Sequence, residues 1–557
     1  MKRSGRPFFC RNQYYVKWVA LSAGICTAIV LTILFTILLT SCGSKGEKPM
    51  QTNAPQNEAW RQDPYRPQYH YSNIENWAND PNGLLYYEGE YHFFYQYNPN
   101  GNFDGHKHWA HAVSADLINW TDLPLALCPD DLGDCWSGSM VADDNNTSGF
   151  FTGCRDENGN LKEHGLVAIY TGFTYQITQC IAYSADNGRT WTKYEGNPVI
   201  DQSNNPGGSA YFRDPKVFWH EESGQWMMVI SGGPLMIYTS PDLKNWTCQR
   251  VQTGIQTECP DLFPITAENT GEEKWVLTLS GRYYMVGSLT QRGDRWMFRP
   301  QTQQIPMNFG PDAYATQAWS NSPDGRILTI SWMNSMDYVT ALPNVLTKFS
   351  GIYTLIQELR LIETDDDYRL LQTPAREYMQ LRSPDKAFSV TKLSLGSEDP
   401  LYSFYESAQC ECIAEFRPSP DVTAFGLKLR VGTDQETVLR YDCAAGTLTL
   451  DRSQAGVSPA EAFSSPGTYS ADIALTKDGV LKLQIFLDRS TLEVFVNGGA
   501  AVGSMLHFPD AQSTGMAFFT EGGSTEISCT VYQMHGIGHL PAAAAPASEA
   551  DPVRNDI

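Results

Sequence analysis

Acidic residues recur in five well-separated segments of this 557-residue sequence, each beside an apolar stretch typical of a strand. The segments read "NWANDPNG" (76–83), "DDLGDCWSGS" (130–139), "FRDPKVFW" (212–219), "ECPDLFP" (258–264) and "FGPDAYATQAW" (309–319). Their acidic residues include Asp80, Asp134, Asp214, Glu258, Asp261 and Asp312. A single such acid is an ordinary turn residue, because an Asp carboxylate satisfies nearby backbone N–H groups. Recurrence at one place in successive segments predicts a cluster of carboxylates instead.

Clustered carboxylates beside Trp77, Trp136 and Tyr314 suit either hard-cation binding or hydrolysis of a glycosidic bond. The aromatic residues favour a sugar, because sugar rings pack on aromatic faces while their hydroxyls need Asp and Asn acceptors. Hydrolysis needs one carboxylate as nucleophile or base and one carboxyl kept protonated as acid. Neighbouring negative charges and partial burial raise the pKa of such an acid.

No metal or other cofactor is predicted. The segment "HKHWAH" (106–111) offers three histidines, but no acidic or Cys partner stands at a zinc-site spacing. The net charge of −22 argues against nucleic acid, anionic lipid and phosphorylated substrates as partners. A neutral carbohydrate fits this charge better.

Internal repeats predict how the acids are positioned. Four segments share a strand, a Ser/Asp/Gly turn and a Trp that opens the next strand. They are residues 110–124, 182–198, 236–250 and 286–300, with Trp120, Trp191, Trp246 and Trp296 as markers. Each unit has an earlier apolar strand, and a fifth such strand covers 325–334. Units of about fifty residues with several short strands are typical of a β-propeller with four-stranded blades. Five blades are therefore predicted for residues 67–365, with the acids on the innermost strands.

The pattern changes after a stretch at 357–382 that is compatible with a helix or linker. Evenly spaced alternating strands over 385–538 predict an antiparallel β-sandwich, so the whole fold is expected to be all-β. Residues 43–66 are predicted to be a polar linker, and 539–557 a disordered tail rich in Pro, Ala and acidic residues.

The N-terminus carries a predicted export segment, residues 1–42. Basic residues precede an uncharged run from Trp18 to Ser44 that is long enough to span a bilayer. The sequence "LTSC" ends at Cys42 and resembles a bacterial lipoprotein cleavage box, which would make Cys42 the lipidated residue. An uncleaved signal anchor is the alternative. Under either interpretation the chain after residue 42 is expected outside the cytoplasm, held at the cell surface, with this segment as its one contact with the membrane.

Five motifs together resemble glycoside hydrolase family 32, which contains invertases, inulinases and levanases. They are "NWANDPNG", "WSGS", "FRDPKVFW", "ECPDLFP" and "LEVFVNGG", and the resemblance extends through about residues 70–535. Members of that family have a five-bladed propeller followed by a β-sandwich, as the repeats predict independently.

The resemblance implies a role for each matching acid. Asp80 would be the nucleophile that attacks the anomeric C2 of a fructosyl unit. Glu258 would protonate the leaving oxygen and then deprotonate water. Asp214 would hold fructosyl hydroxyls and stabilise an oxocarbenium-like transition state. The residues implied to line the fructosyl pocket are Trp77, Asn79, Gln96, Trp136, Ser137, Arg213 and Asp312.

The leading hypothesis is a retaining β-fructosidase that hydrolyses terminal or internal linkages of levan or inulin, with sucrose as a further candidate. Fructosyl transfer, an inverting arabinan- or xylan-type hydrolase and a non-catalytic carbohydrate-binding propeller are the alternatives. Ala78 stands where the family usually has Met, and Trp136 where Phe is usual. Both differences bear on the size of the substrate.

Overall fold

The computed structural model describes residues 59–540, except 157, 366 and 397. The predicted export segment with Cys42, most of the predicted linker and most of the predicted tail lie outside the described residues. Within the described part of the chain, none of the helices has the length and apolar character needed to cross a membrane.

Five antiparallel sheets of four consecutive strands form the first part of the structure, and we call them blades 1 to 5. Blade 1 contains β1 (Trp77–Tyr87), β2 (Glu90–Asn98), β3 (His108–Ser114) and β4 (Asn119–Leu127). Blade 2 contains β5 (Asp134–Asp143), β6 (Gly165–Phe173), β7 (Ile177–Ser184) and β8 (Thr192–Lys193). Blade 3 contains β9 (Arg213–His220), β10 (Gln225–Ser231), β11 (Gly233–Ser240) and β12 (Thr247–Thr257). Blade 4 contains β13 (Asp261–Thr266), β14 (Glu273–Leu279), β15 (Tyr283–Arg292) and β16 (Arg295–Pro300), with β17 (Ile305–Pro306) beside β15. Blade 5 contains β18 (Tyr314–Ala318), β19 (Ile327–Trp332), β20 (Gln357–Glu363) and β21 (Tyr368–Pro374).

The first strand of each blade lies innermost, and these strands surround a common channel. Strand β1 packs between β5 and β18, and β5 also packs against β9. The backbone N–H of Ser320, just after β18, donates to the carbonyl oxygen of Leu84 at 3.1 Å and joins blade 5 to blade 1. Lys216 of β9 and Asp261 of β13 form a buried ion pair of 2.9 Å between blades 3 and 4. The predicted five-bladed propeller is confirmed.

The repeated Trp has the same local role in three blades. Its indole N–H donates to the backbone carbonyl three residues earlier, which closes the turn between the third and fourth strands. The pairs are Trp120 with Leu117 (3.0 Å), Trp191 with Gly188 (3.0 Å) and Trp246 with Leu243 (2.8 Å). The fourth marker, Trp296, also stands at the start of a fourth strand, β16, but its ring packs against that of His220, with centroids 4.6 Å apart.

Two six-stranded antiparallel sheets form the second part, a β-sandwich. One sheet contains β22 (Arg382–Gly396), β24 (Cys410–Pro418), β29 (Leu481–Leu487), β30 (Thr491–Val496), β31 (Ala501–Leu506) and β33 (Ser524–Met534). The other contains β23 (Leu401–Glu406), β25 (Val422–Gly432), β26 (Gln435–Asp442), β27 (Thr447–Gln454), β28 (Thr468–Asp472) and β32 (Gly515–Gly522). Phe416 and Phe425 from opposite sheets stack with ring centroids 5.3 Å apart in the core between them.

Helical segments are short. The 3-10 helices of the described residues are Ala59–Gln62, Gln202–Asn204, Val339–Asn344 and Arg376–Leu381, and one α-helical turn covers Glu461–Ser464. The stretch predicted to be compatible with a helix or linker at 357–382 contains the strands β20 and β21 before the 3-10 helix Arg376–Leu381, so the propeller extends to Pro374 rather than to residue 365. The sandwich begins at Arg382.

Both predicted terminal boundaries also differ from the structure. Arg66, assigned to the linker, is buried and donates to the carbonyl oxygen of Asn73 at 2.6 Å. At the other end, β34 (Gly538–Leu540) pairs in parallel with β4, and the buried His539 lies 2.8 Å from Asp122. Residues 59–66 and 539–540 therefore belong to the packed structure, because their polar groups find partners in the propeller region and in the sandwich.

Candidate active site

The structure brings Asp80, Asp214 and Glu258 to one mouth of the channel. Asp80 lies in β1 and Asp214 in β9, each near the start of its strand, and Glu258 precedes β13. The thiol of Cys259 lies 3.6 Å from Asp80 Oδ2 and 3.4 Å from Asp214 Oδ2. Arg213 contacts both Glu258 and Asp214, the latter at 3.5 Å from Nε to Oδ2. One thiol and one guanidinium thus connect all three acids.

The backbone at these acids departs from regular strand geometry. The pairing of β1 with β2 shifts register between Ala78 and Pro81, which takes Asp80 out of the ladder beside a proline that has no N–H to donate. Asp214 has a φ of 63° and Cys259 a φ of 44°, both in the left-handed region. Such strained residues persist where surrounding structure holds them, and they concentrate at functional sites.

Hydrogen bonds fix both oxygens of the Asp80 carboxylate. Ser137 Oγ donates to Oδ2 at 2.6 Å, and Asn79 Nδ2 donates to Oδ1 at 3.2 Å. Gln96 completes the ring, because it accepts from Asn79 at 2.7 Å and donates to Ser137. These three polar residues are buried, whereas Asp80 is half-buried. They therefore hold the Asp80 carboxylate in place from the buried side of the site.

Two further residues support Asn79. Its Oδ1 accepts from the indole of Trp77 at 3.0 Å and from Lys107 Nζ at 2.6 Å. Trp77 is 1% exposed, so its contribution is to orient Asn79 rather than to present a ring face to a ligand. Sequence reasoning missed Lys107, since a single Lys in a loop has no recognisable spacing. The one available signal is its position in "HKHW", directly before β3 of the blade that also carries Asp80.

Glu258 is half-buried, with 29% of its side chain accessible. It accepts hydrogen bonds from Arg213 and from the hydroxyl of Tyr314. A cleft of about 500 Å³ opens beside it, and its lining includes Tyr211, Arg213, Thr257 and Ser280. This acid can therefore reach both a departing group and incoming water.

Asp214 is the most buried of the three. Its Oδ2 accepts from the backbone N–H of Cys259 at 3.0 Å. Burial is the largest influence on this carboxyl and, together with the negative charge of Asp80, raises its pKa to about 7 against the opposing charge of Arg213. With this pKa, the Asp214 carboxyl changes its charge near neutral pH.

Trp136 lies half-buried beside the channel mouth. Its ring stacks on Phe173 with centroids 3.9 Å apart and planes 17° apart. Its backbone carbonyl accepts from the indole of Trp109 at 3.0 Å, and its own buried indole N–H has no partner among the described residues. The structure thus holds a flat aromatic side chain next to Ser137.

Asp312 is not at this site, contrary to the role implied for it. It is completely buried and accepts from Arg452 at 2.7 Å and from the backbone N–H of Leu506 at 2.8 Å, both in the sandwich. The physical reason is its position before β18, where the chain contacts the sandwich rather than the channel. Tyr314, two residues later, reaches the acids instead. Asp261 is likewise buried and structural, paired with Lys216.

Comparison with known proteins now identifies the family. The model of the glycosyl hydrolases family 32 N-terminal domain matches residues 70–374, and that of the family 32 C-terminal domain matches residues 377–533. The chain belongs to glycosyl hydrolase family 32. The match covers both the propeller that carries the three acids and the sandwich.

Curated family 32 relatives include fructan-degrading enzymes. A levanase of Bacillus subtilis is 39% identical over 91% of this chain and 74% of its own length. A fructan beta-fructosidase of Streptococcus mutans is 37% identical over 86% of this chain, but the match covers 34% of that relative. The chain thus spans about a third of the Streptococcus protein.

Solved family 32 structures have the same fold. The exo-inulinase from Aspergillus awamori superimposes with a TM-score of 0.76 at 31% identity, over 85% of this chain and 99% of that one. A fructofuranosidase from Schwanniomyces occidentalis complexed with fructosylnystose gives a TM-score of 0.72 at 27% identity, over 85% and 98% of the two chains. Among the described residues of this family 32 protein, no group of three His, Cys, Asp or Glu side chains is arranged to hold a metal ion.

Proposed function

We propose that this family 32 protein hydrolyses β-fructosidic bonds of fructans with retention of configuration at the anomeric carbon. The observation that carries the proposal is the linkage of Asp80, Asp214 and Glu258 through Cys259 and Arg213 at one channel mouth. A retaining mechanism requires a nucleophile and an acid on opposite sides of one bond.

In the first step, Asp80 attacks C2 of the fructosyl unit and forms an ester as the bond to the leaving oxygen breaks. Ser137 and Asn79 hold the attacking carboxylate in a single orientation. Glu258 gives its proton to the leaving oxygen, so the departing sugar leaves as a neutral alcohol. Its exposure to the cleft lets that sugar diffuse away.

In the second step, Glu258 takes a proton from water, and the water oxygen attacks C2. The ester breaks and Asp80 is regenerated as a carboxylate. Asp214 accepts hydrogen bonds from the fructosyl hydroxyls, and its negative charge stabilises the positive charge that develops on the ring. Tyr314 and Arg213 hold the Glu258 carboxyl in position through their hydrogen bonds.

The names of the relatives support fructan as the substrate class. The Bacillus subtilis protein is named a levanase and the Aspergillus awamori protein an exo-inulinase. Levan, inulin and sucrose are the candidates, all neutral, as suits a chain with a net charge of −22. A non-catalytic binding propeller needs aromatic walls but no set of three acids. Transfer to a second sugar uses the same first step, and no feature of the site favours it over hydrolysis.

Product analysis tests this proposal. The purified chain is incubated with sucrose, inulin and levan in turn, and the products are separated by chromatography. Fructose alone indicates attack at chain ends, whereas a ladder of oligosaccharides indicates internal attack. Larger products made at the expense of fructose release would establish transfer. No release from any of the three would overturn the proposal.

We further propose that the chain is exported and held at the cell surface by its N-terminal segment. Basic residues followed by the apolar run up to Cys42 support this, with lipidation of Cys42 preferred over an uncleaved anchor. Cys42→Ala tests the choice between the two anchors. Loss of lipid labelling and of amino-terminal cleavage would support lipidation, and an unchanged, uncleaved and membrane-bound variant would support the anchor. Recovery of the wild-type chain in the cytoplasm would contradict export.

A further inference from the structure

A second cavity opens at the end of the channel opposite to the three acids. We call it the base cavity; its volume is about 620 Å³, within the usual range for small-molecule sites. Its lining includes Asn145, Phe218, Trp219, Trp275, Asn321 and Ser322. Asp214 is the second residue of β9 and Trp219 the seventh, so five residues of strand, or about 16 Å, separate them along the channel. The base cavity is therefore on the other face of the propeller.

The channel between the two mouths is closed to a sugar. Lys216 Nζ donates to Asp261 Oδ2 and to the carbonyl oxygen of Ala318, both at 2.9 Å, and this ties the inner strands of blades 3, 4 and 5 together. Directly behind the acids the free space is about 10 Å³, which is close to the volume needed for one water molecule. The base cavity is thus separate from the active site.

Aromatic side chains form the floor of the base cavity. Phe218, Trp219 and Trp275 are half-buried, so part of each ring faces the cavity. The neighbouring Trp226 is buried and its indole N–H donates to Thr147 Oγ1 at 2.8 Å. By contrast, the indole N–H groups of Trp219 and Trp275 donate to no other described residue. Partly exposed indoles with free donors are suited to the mixed apolar and hydroxylated surface of a sugar.

The rim of the base cavity carries polar groups that the protein does not use. The side chains of Asn145 and Asn321 are exposed and make no hydrogen bond to another described residue. The hydroxyl of Ser322 is buried and has no partner within the described chain. Asp144 and Glu221, also exposed on this rim, disfavour an anionic ligand. A neutral ligand with many hydroxyls matches this combination.

We propose that the base cavity is a second carbohydrate-binding site, which holds a segment of the fructan chain while another part is cleaved. The identity of the polymer rests on the proposed function, whereas the preference for a neutral sugar rests on the cavity itself. A shallower groove of about 330 Å³ shares Pro264 and Ile327 with the cavity and continues past Glu358 and Arg360. The combined space accepts more than one sugar unit. Two sites on one molecule raise the effective concentration of a polymer without a new contact at the active site.

The test measures binding apart from cleavage. Asp80→Ala is electrophoresed through native gels with and without levan or inulin, and compared with Asp80→Ala that also carries Trp219→Ala and Trp275→Ala. The proposal expects retardation by at least one fructan, and a rise of about tenfold in the apparent Kd when both indoles are removed. Asp80→Ala with Tyr175→Ala is the matched control, because Tyr175 is 97% exposed and lies outside the cavity.

A second double variant separates a loss of sugar binding from damage to the fold. Asn145→Ala with Asn321→Ala removes two exposed amides and is expected to weaken retardation several-fold. In the otherwise wild-type chain, the Trp219→Ala and Trp275→Ala pair should keep its kcat/KM on the shortest fructoside cleaved, while kcat/KM on the polymer falls. The proposal would be overturned if the tryptophan and asparagine double replacements were both retarded as strongly as Asp80→Ala alone. It would also be overturned if a change in oligomeric mass accounted for the loss of binding. Failure of the wild type to cleave any fructan would instead overturn the proposed function, and the gels would still show whether the base cavity binds fructan.

Discussion

Asp312 of the propeller and Arg452 of the sandwich form an ion pair of 2.7 Å in which both side chains are completely buried. The hydroxyl of Tyr338 contacts both residues. A buried charge that loses its partner is strongly destabilising, whereas replacing the whole pair often is not. This pair therefore joins the two domains and takes no part in binding the sugar.

Asp312→Ala should accordingly reduce stability and leave the chemistry intact. We expect the free energy of unfolding to fall by about 3–5 kcal/mol, because Arg452 would remain buried and unpaired. The KM of the folded enzyme for its substrate should stay near the wild-type value. Urea denaturation and steady-state kinetics below the melting temperature measure the two quantities. A large rise in KM without loss of stability would show that Asp312 contributes to sugar binding after all.

Asp214→Asn should stabilise the protein at high pH while it lowers activity. The folded-state pKa of Asp214 is raised to about 7, above its value of about 3.9 in an unfolded chain. The unfolded chain therefore binds fewer protons between these values, and the wild type loses stability as the pH rises from about 4 to about 7. Above pH 7 the variant should be more stable by about 2–4 kcal/mol, with no such gain at pH 4.

Chemical denaturation at pH 4 and pH 8 measures this difference, with the exposed Asp385→Asn as a surface control. The same gain at both pH values would show that the effect does not come from the buried charge. The activity of the variant should be low at every pH, since an amide cannot supply the negative charge that opposes the developing cation.

The loss of activity in Glu258→Ala should depend on whether the leaving group needs a proton in order to depart. General acid catalysis contributes about 10²–10⁴-fold, so kcat/KM on sucrose or fructan should fall by that amount. On fructosyl fluoride the loss should be much smaller, because fluoride departs without a proton. Asp80→Ala should be inactive on both, since it lacks the nucleophile. Equal losses for Glu258→Ala on both substrates would contradict its role as acid.

Buried histidines should make the fold sensitive to acid. Burial, reinforced by the charge of Arg189, lowers the pKa of His92 to about 4, and burial near Arg430 lowers the pKa of His507 to about 3. Unfolded histidines take up protons below about pH 6.5, so stability should fall as the pH drops from about 6.5 towards these values. His507→Gln should lose less stability than the wild type between pH 7 and pH 4.5. Urea denaturation at these two pH values measures the difference.

His70 should act in the opposite direction and serves as the comparison. Burial alone would lower its pKa, but hydrogen bonds to Asp488 and Glu493 raise the pKa to about 8. Its contribution to stability is complete below about pH 6.5 and is lost as the pH rises through about 8. His70→Gln should therefore be relatively more destabilised at pH 6 than at pH 9. Equal destabilisation at both values would show that the imidazole is not charged in the fold.

Local sequence was sufficient for the class of fold and the number of blades, although not for the last two strands of blade 5. The turn before Trp120, Trp191 and Trp246 depends on residues within a few positions of one another, so its repetition is visible without any tertiary information. Alternation along the later strands likewise follows from one face of a sheet being buried. The motifs around Asp80 and Glu258 were recognisable for the same reason, since a family signature is a local pattern of residue types.

Contacts between distant segments decided what each acid does. Asp312 and Tyr314 lie two residues apart in one segment, yet the first faces the sandwich and the second Glu258. No local pattern separates them, because the choice depends on where the sandwich packs against blade 5. Lys107 was missed for a similar reason, as its partner Asn79 is 28 positions away.

The sequence by itself determined the class of fold, the number of blades and the residue types available for catalysis, because these depend on short-range spacing. The closing of five sheets around one channel decided which side chains meet. It set Asp80, Asp214 and Glu258 at one mouth and Trp219 and Trp275 at the other, with Lys216 between them. Side chains on one strand alternate in direction and advance along it, so only the assembled ring fixes which face of the molecule each one serves.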